Sequence, residues 1–122
     1  KKYKGISIKG IFHNHTIYSD GIYSIEDLKD IAISNNFEYL GISDHTRSMF
    51  GMSDESISEQ HNKIDSLNMN TTCRILKSAE CEILNNGDLD LNNDSLSKLD
   101  YTIIAIHKQI NQHKVHLLLY LL

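Results

Sequence analysis

Two histidines one residue apart, His13 and His15, stand at the end of an apolar-alternating run, Ile6-Ser7-Ile8-Lys9-Gly10-Ile11-Phe12. The run reads as a strand, so the pair falls where a strand gives way to a loop. In extended backbone, residues i and i+2 project to the same face, and His13 and His15 can offer two imidazole nitrogens to one ion. Asp20 returns a carboxylate after the turn that Gly21 permits, which gives three candidate ligands from one strand end. With seven histidines in 122 residues, one such pair can arise by chance, so the rest of the chain has to supply further ligands before the pair means a metal site.

It supplies them at regular intervals. Ser24-Ile25-Glu26-Asp27 resembles a capping box, and the stripe Leu28, Ile31, Ala32 predicts a helix that runs out at Asn35-Asn36. Residues 37–43 predict a second strand, which delivers Asp44-His45-Thr46 at its carboxyl end. Ser53-Asp54-Glu55 opens a second helix with Ile57, His61, Ile64 and Leu67 spaced along one face, His61 being expected to be partly exposed. Residues 73–84 predict one continuous third strand, on which Glu80 and Glu82 share a face. That face is either solvated, or its carboxylates are paired or bound to a cation, because unpaired buried carboxylates are costly. A turn at Asn85-Asn86-Gly87-Asp88 and a short helix from Asn92 follow. Tyr101-Thr102-Ile103-Ile104-Ala105-Ile106 then predicts a strand covered on both faces, ending at His107.

Alternating strands and helices indicate an α/β fold of about four parallel strands, and such folds place their sites at the carboxyl ends of the strands. His13, His15, Asp20, His45, Glu80 and His107 are all placed at or near those ends. Nitrogen and oxygen donors without paired cysteines suit manganese, zinc or iron better than a structural thiolate zinc site. The formal net charge of −4 argues against a broad basic nucleic-acid surface, and no apolar run reaches the length of a membrane span. Cys73 and Cys81 lack disulfide or CxxC spacing, and with no signal-peptide pattern a cytoplasmic protein is expected.

With His13-x-His15-Thr16-x-x-Ser19-Asp20-Gly21, Gly41-Ile42-Ser43-Asp44-His45-Thr46, Ala79-Glu80-Cys81-Glu82-Ile83-Leu84 and Ile104-Ala105-Ile106-His107 in order, the chain resembles the PHP (polymerase and histidinol phosphatase) superfamily. Residues 44–48, 84–91 and 99–101 are most similar to the C-terminal PHP domain of bacterial family X DNA polymerases. The resemblance implies that residues 1–107 are the N-terminal portion of a distorted (β/α)7 barrel carrying up to three divalent metal ions for phosphoester hydrolysis. It would place His13, His15 and Glu80 on one ion, Glu80 and His107 on a second, and Asp20 and His45 on a third. Metal-activated water would be the nucleophile, Asp44 a neighbouring orienting group of the catalytic site, and Glu80 rather than Glu82 the functional carboxylate.

The family's later strands carry further ligands, whereas residues 108–122 read as a divergent tail; Ile11-Phe12 also stands where the family has an acidic residue. His113 and His116 would share one side of a helix, and coincidence is the simpler reading of that pair. The apolar stretch Leu117 to Leu122 is expected to cover the exposed strand face or to promote association. The function implied is 3′-5′ exonuclease or 3′-end processing on a DNA 3′ end, in DNA repair, with a polymerase domain N-terminal to this segment and no membrane partner. Two rival readings are a histidinol-phosphatase-like phosphomonoesterase acting on a small phosphate ester, and an inactive metal-binding or structural fragment.

Overall fold

The computed structural model of the chain describes Gly5 and residues 7–107, and along them strands and helices alternate. Strand β1 (Gly10–Ile11) pairs in parallel with β2 (Tyr39–Ile42), and β2 pairs in parallel with β3 (Arg74–Lys77). A second parallel pair joins β4 (Glu80–Glu82) to β5 (Ile103–Ala105). The chain beyond β2 continues alongside the path from β3 to β4. Ser78 N–H donates to the Ile42 carbonyl (2.9 Å), Glu80 N–H to the Asp44 carbonyl (3.0 Å), and His45 and Glu80 form a parallel bridge. The carboxyl ends of β1 and β2 are thereby set beside the start of β4.

Helix α1 (Ile25–Ser34) begins where the sequence predicts. Ser24 Oγ accepts the Asp27 N–H at 3.1 Å and the Asp27 carboxylate accepts the Ser24 N–H at 3.1 Å, the reciprocal pair of a capping box. The helix ends at Asn35, followed by Asn36 in the left-handed region at φ 58°. Helix α2 (Asp54–Asn68) is capped in the same manner by Ser53 and Ser56, and it buries Ile57, Gln60, His61 and Ile64 along one face. Ile25 and Ala32 of α1 and Ile64 of α2 close over Leu40, Ile42 and Ile75, which forms one core. A second core of Met52, Ile57, Ala79, Cys81 and Leu91 lies beside it, with Tyr18 packed against both. The short α3 (Asn93–Ser97) is started by Asn92, whose side chain accepts the Ser95 N–H.

Three expectations are corrected. The third strand is divided, because Ser78 bonds toward β2 while the Ala79 carbonyl accepts from Ile103 of β5, so the intervening residues change neighbours. Residues 78–82 are all buried, which removes the face alternation on which a single half-solvated strand was read. The run 101–106 is not covered on both faces among the described residues, for Ile104 is 47% exposed. His61 is buried, since its turn of α2 faces β3 instead of solvent. No helix among the described residues is long and apolar enough to cross a membrane. The boundary expected at His107, the His113–His116 pair and the association expected of Leu117 to Leu122 lie at or outside the end of the described residues.

Burial holds the His61 ring below the ordinary histidine pKa, the Lys77 charge adds to the effect, and Nε2 has no hydrogen-bond partner among the described residues. The folded chain therefore resists a proton that the unfolded chain accepts below about pH 6.5. This contribution to stability is present above that value and is lost as pH falls. We expect His61→Gln to flatten the acid side of the stability curve, read by urea unfolding at several pH values. A wild-type-minus-variant difference that stays constant with pH would remove His61 as the cause.

Candidate metal centre

Just past β1 the chain stays pinned to the end of β2. Asn14 Nδ2 donates to the Gly41 carbonyl (2.9 Å), its N–H donates to Ser43 Oγ (3.2 Å), and Ser43 N–H donates to the Asn14 carbonyl (2.8 Å). With Asn14 spent on β2, its two neighbours His13 and His15 project together, as extended geometry requires. The following turn closes with Ser19 and Gly21 N–H both donating to the Thr16 carbonyl at 3.0 Å. A side chain at Gly21 would run into the His15 carbonyl and the Thr16 nitrogen, so this tight return, which brings Asp20 back to His15, needs glycine.

Glu80 is the point of convergence. Its Oε2 lies 3.0 Å from both His13 Nε2 and His15 Nε2 and 3.4 Å from His45 Nδ1, and its Oε1 lies 3.5 Å from His107 Nε2. The two Nε2 atoms of His13 and His15 are 3.1 Å apart. His15 Nδ1 faces Asp20 Oδ1 at 2.6 Å, and Asp20 Oδ2 lies 3.6 Å from His45 Nε2. The bond to His15 holds the Asp20 carboxyl below its ordinary range against a smaller opposing effect of burial. Glu80 is 7% exposed and His45 9%, while His13 and His107 open to solvent, so the set is closed beneath and accessible above.

Three groups of side chains have ligand atoms close enough to hold an ion: His13, His15 and Glu80; His15, Asp20 and His45; and His45, Glu80 and His107. The chemistry of the donors fits a cation. With the Nδ1 proton of His15 donated to Asp20, His15 Nε2 presents a lone pair to an already acceptor-rich space. His45 Nδ1 is buried with no hydrogen-bond partner among the described residues, as an imidazole poised for an ion would be. A neutral imidazole has one lone pair to give, so His15 and His45 can each serve one group at a time. Filling all three groups together leaves Asp20 with His45, and Glu80 with His107, as two-ligand sets. All six residues expected from the sequence are thus brought together.

No family model matches the sequence. The chain is 37% identical over 109 residues to the DNA polymerase/3′-5′ exonuclease PolX of Bacillus subtilis (strain 168), an alignment covering 86% of this chain and 19% of the relative. Over that span the chain is similar to a segment of a family X DNA polymerase, and it fits a PHP-like fragment of one. It spans about a fifth of the length of the curated relative it matches, 19%. The four motifs from His13 to His107, which suggested this kinship, contain every residue of the three groups described above.

Asp44 is fully buried and all its acceptor positions are taken. Oδ1 accepts from Thr16 N–H (2.7 Å) and Ser19 Oγ (2.6 Å), and Oδ2 from Thr16 Oγ1 (2.7 Å) and Gln60 Nε2 (2.7 Å). It fastens the loop bearing His15 and Asp20 to the end of β2 and to α2. Gln60 carries no sequence signal for this role, being one polar residue among many on α2. Asp90 is likewise silent in the sequence, and it accepts from Thr46 Oγ1 (2.6 Å), Ser48 N–H (3.0 Å) and Glu82 N–H (2.8 Å). We expect Asp44→Asn to lower stability by at least about 2 kcal/mol, because the amide sets a donor against buried donors. The loss should be the same in excess chelator as in metal, by denaturant unfolding. A loss that appears only with metal present would make Asp44 a ligand instead of a clamp.

Proposed function

We propose that residues 1–107 form part of a PHP barrel whose metal-dependent phosphoesterase site, in the full-length parent, acts on a DNA 3′ end as a 3′-5′ exonuclease or 3′-end-processing activity. The observation that carries this reading is the convergence of His13, His15, His45 and His107 on the buried Glu80 carboxylate, with Asp20 behind His15. The name of the relative, a DNA polymerase/3′-5′ exonuclease, supports the choice of DNA and of the 3′ end. A polymerase domain N-terminal to the segment is part of the same proposal.

His13, His15 and Glu80 would hold the tightest ion, since they are a three-ligand set, with Glu80 and His107, and Asp20 and His45, as weaker sets. A divalent cation there, manganese, zinc or iron, supplies water of lowered pKa as the nucleophile and charge to neutralise the phosphate. The chain's own part is positioning. Asp20 holds the His15 ring with its Nε2 toward Glu80, and the carboxylate of Glu80, buried at the start of β4, keeps two oxygens directed at different imidazoles. Asp44, with every lone pair engaged, orients the ligand loop and has no acceptor left for a proton from water. Cys81 is not a nucleophile, because burial, with the charges of Asp90 and Glu80 adding, pushes its thiol pKa up to about 12.

The His13→Ala, His15→Ala double variant should lose most of the metal that wild type retains through dialysis, measured by mass spectrometry of the ions. Equal content in both proteins would remove these ligands. On the full-length parent, hydrolysis of a 3′-labelled oligonucleotide should depend on Glu80, with Glu80→Gln about 10-fold or more slower. Hydrolysis of a small phosphomonoester without action on the oligonucleotide would redirect the reading to a phosphatase.

A further inference from the structure

A carboxylate that the metal-binding groups leave out is bound to one of their histidines in a specific way. Glu82 is 4% exposed on β4, two residues beyond Glu80. Its Oε1 accepts the backbone N–H of His107 at 2.7 Å and its Oε2 faces His107 Nδ1 at 2.7 Å, so one carboxylate grips both the main chain and the ring. The other end of the residue is fixed too, because Glu82 N–H donates to Asp90 Oδ1 at 2.8 Å. The sequence reading made Glu80 rather than Glu82 the functional carboxylate, yet the Glu82 side chain reaches across to His107, just past the end of β5.

We infer that Glu82 is a positioning residue that fixes His107 in the Nδ1–H tautomer and so presents the Nε2 lone pair to the space beside Glu80. An ionised carboxylate only accepts hydrogen bonds, so the ring nitrogen it faces has to carry the proton. The remaining nitrogen, Nε2, then meets Glu80 Oε1 across 3.5 Å as acceptor against acceptor, a pairing that a cation between them satisfies. The backbone bond removes the freedom the carboxylate would otherwise have to swing away. The assignment of the tautomer stands on these contacts alone; its consequence for an ion rests on the metal-centre reading above.

Glu82→Gln tests this because the change is nearly isosteric. The amide has one oxygen and one NH2, and it faces two donors, the His107 N–H and the Nδ1–H. The backbone cannot give up its proton but the ring can move one, so Gln should keep its oxygen on the backbone, turn its NH2 to Nδ1 and drive the proton to Nε2. We expect long-range proton–nitrogen correlation spectra of metal-free chain to give the Nδ1–H tautomer for His107 in wild type and in Glu82→Asp. The same spectra should give the Nε2–H tautomer in Glu82→Gln. Zinc titration should show about 10-fold or more weaker binding in Glu82→Gln, as loss of a ligand's orienting partner commonly causes. A wild-type ring with its proton on Nε2, or protonated at both nitrogens, overturns the inference even if the Gln variant fails to fold. So does an unchanged tautomer in a folded Gln variant. If wild type binds no zinc while the tautomers behave as expected, the metal reading fails and the positioning role of Glu82 stands.

Discussion

The buried carboxylate of Asp44 is the interaction on which the site's geometry depends. Taking a carboxylate out of water costs several kcal/mol unless its charge is met by donors. Here the donors come from the loop between β1 and α1, through Thr16 and Ser19, and from α2, through Gln60. One side chain at the end of β2 therefore ties together three segments, adding to the bonds of Asn14 with Gly41 and Ser43 and to the packing of α2 over β2. The loop it captures carries His15 and Asp20, whose mutual bond is short enough to fix the ring. Local sequence makes the strands and the helix caps, and this one charge converts them into a ligand array.

Charge also explains why the array is poised for an ion. Glu80 and Glu82 are both buried on β4, and Glu82 has its donors in the His107 main chain and ring. Glu80 has around it mainly imidazole nitrogens, and that of His15 presents a lone pair once its Nδ1 proton is donated to Asp20. A packed interior satisfies nearly all of its polar groups, and where natural proteins break that rule the break marks function. The unpartnered Nδ1 of His45 is such a break, located beside Glu80 where four imidazoles meet.

Much of this was legible in the sequence because it is written in local patterns. Ser24 and Ser53 announce α1 and α2, and His13, His45 and His107 sit at or near residues where an apolar run ends, which is how an open α/β sheet builds a site. What was not legible depends on partners distant in the chain. The division of β3 from β4 comes from Ser78 and Ala79 bonding to different neighbours, and no periodicity encodes that. Ile104 is as apolar as a covered strand residue, yet it is half-exposed, because coverage of a strand face depends on what packs over it and not on the strand's own residues. His61 and Gln60 look like ordinary surface positions of a polar helix until α2 is laid against β3. Glu82 could have been flagged, since it shares a strand face with Glu80, but its partner is 25 residues away.

Asp44 and Asp90 make a pair whose logic is visible only in three dimensions. Asp44 binds the segment before α1 to the end of β2, while Asp90 binds the segment after β2, through Thr46 and Ser48, to Glu82 of β4. Burial raises the Asp90 carboxyl pKa, but the bonds from Thr46, Ser48 and Glu82 outweigh it and leave the group below its ordinary range. His45 lies between these two anchors, for Asp44 on one side is itself bonded on all sides and Thr46 on the other is held by Asp90. A ligand whose flanking residues are clamped cannot drift by the fraction of a bond length that separates a productive site from a loose one. The fold therefore uses its buried acids in two ways, Glu80 as the point on which the imidazoles converge and Asp44 and Asp90 as clamps on the flanking segments, and the second kind is what brings residues so far apart in sequence to one place.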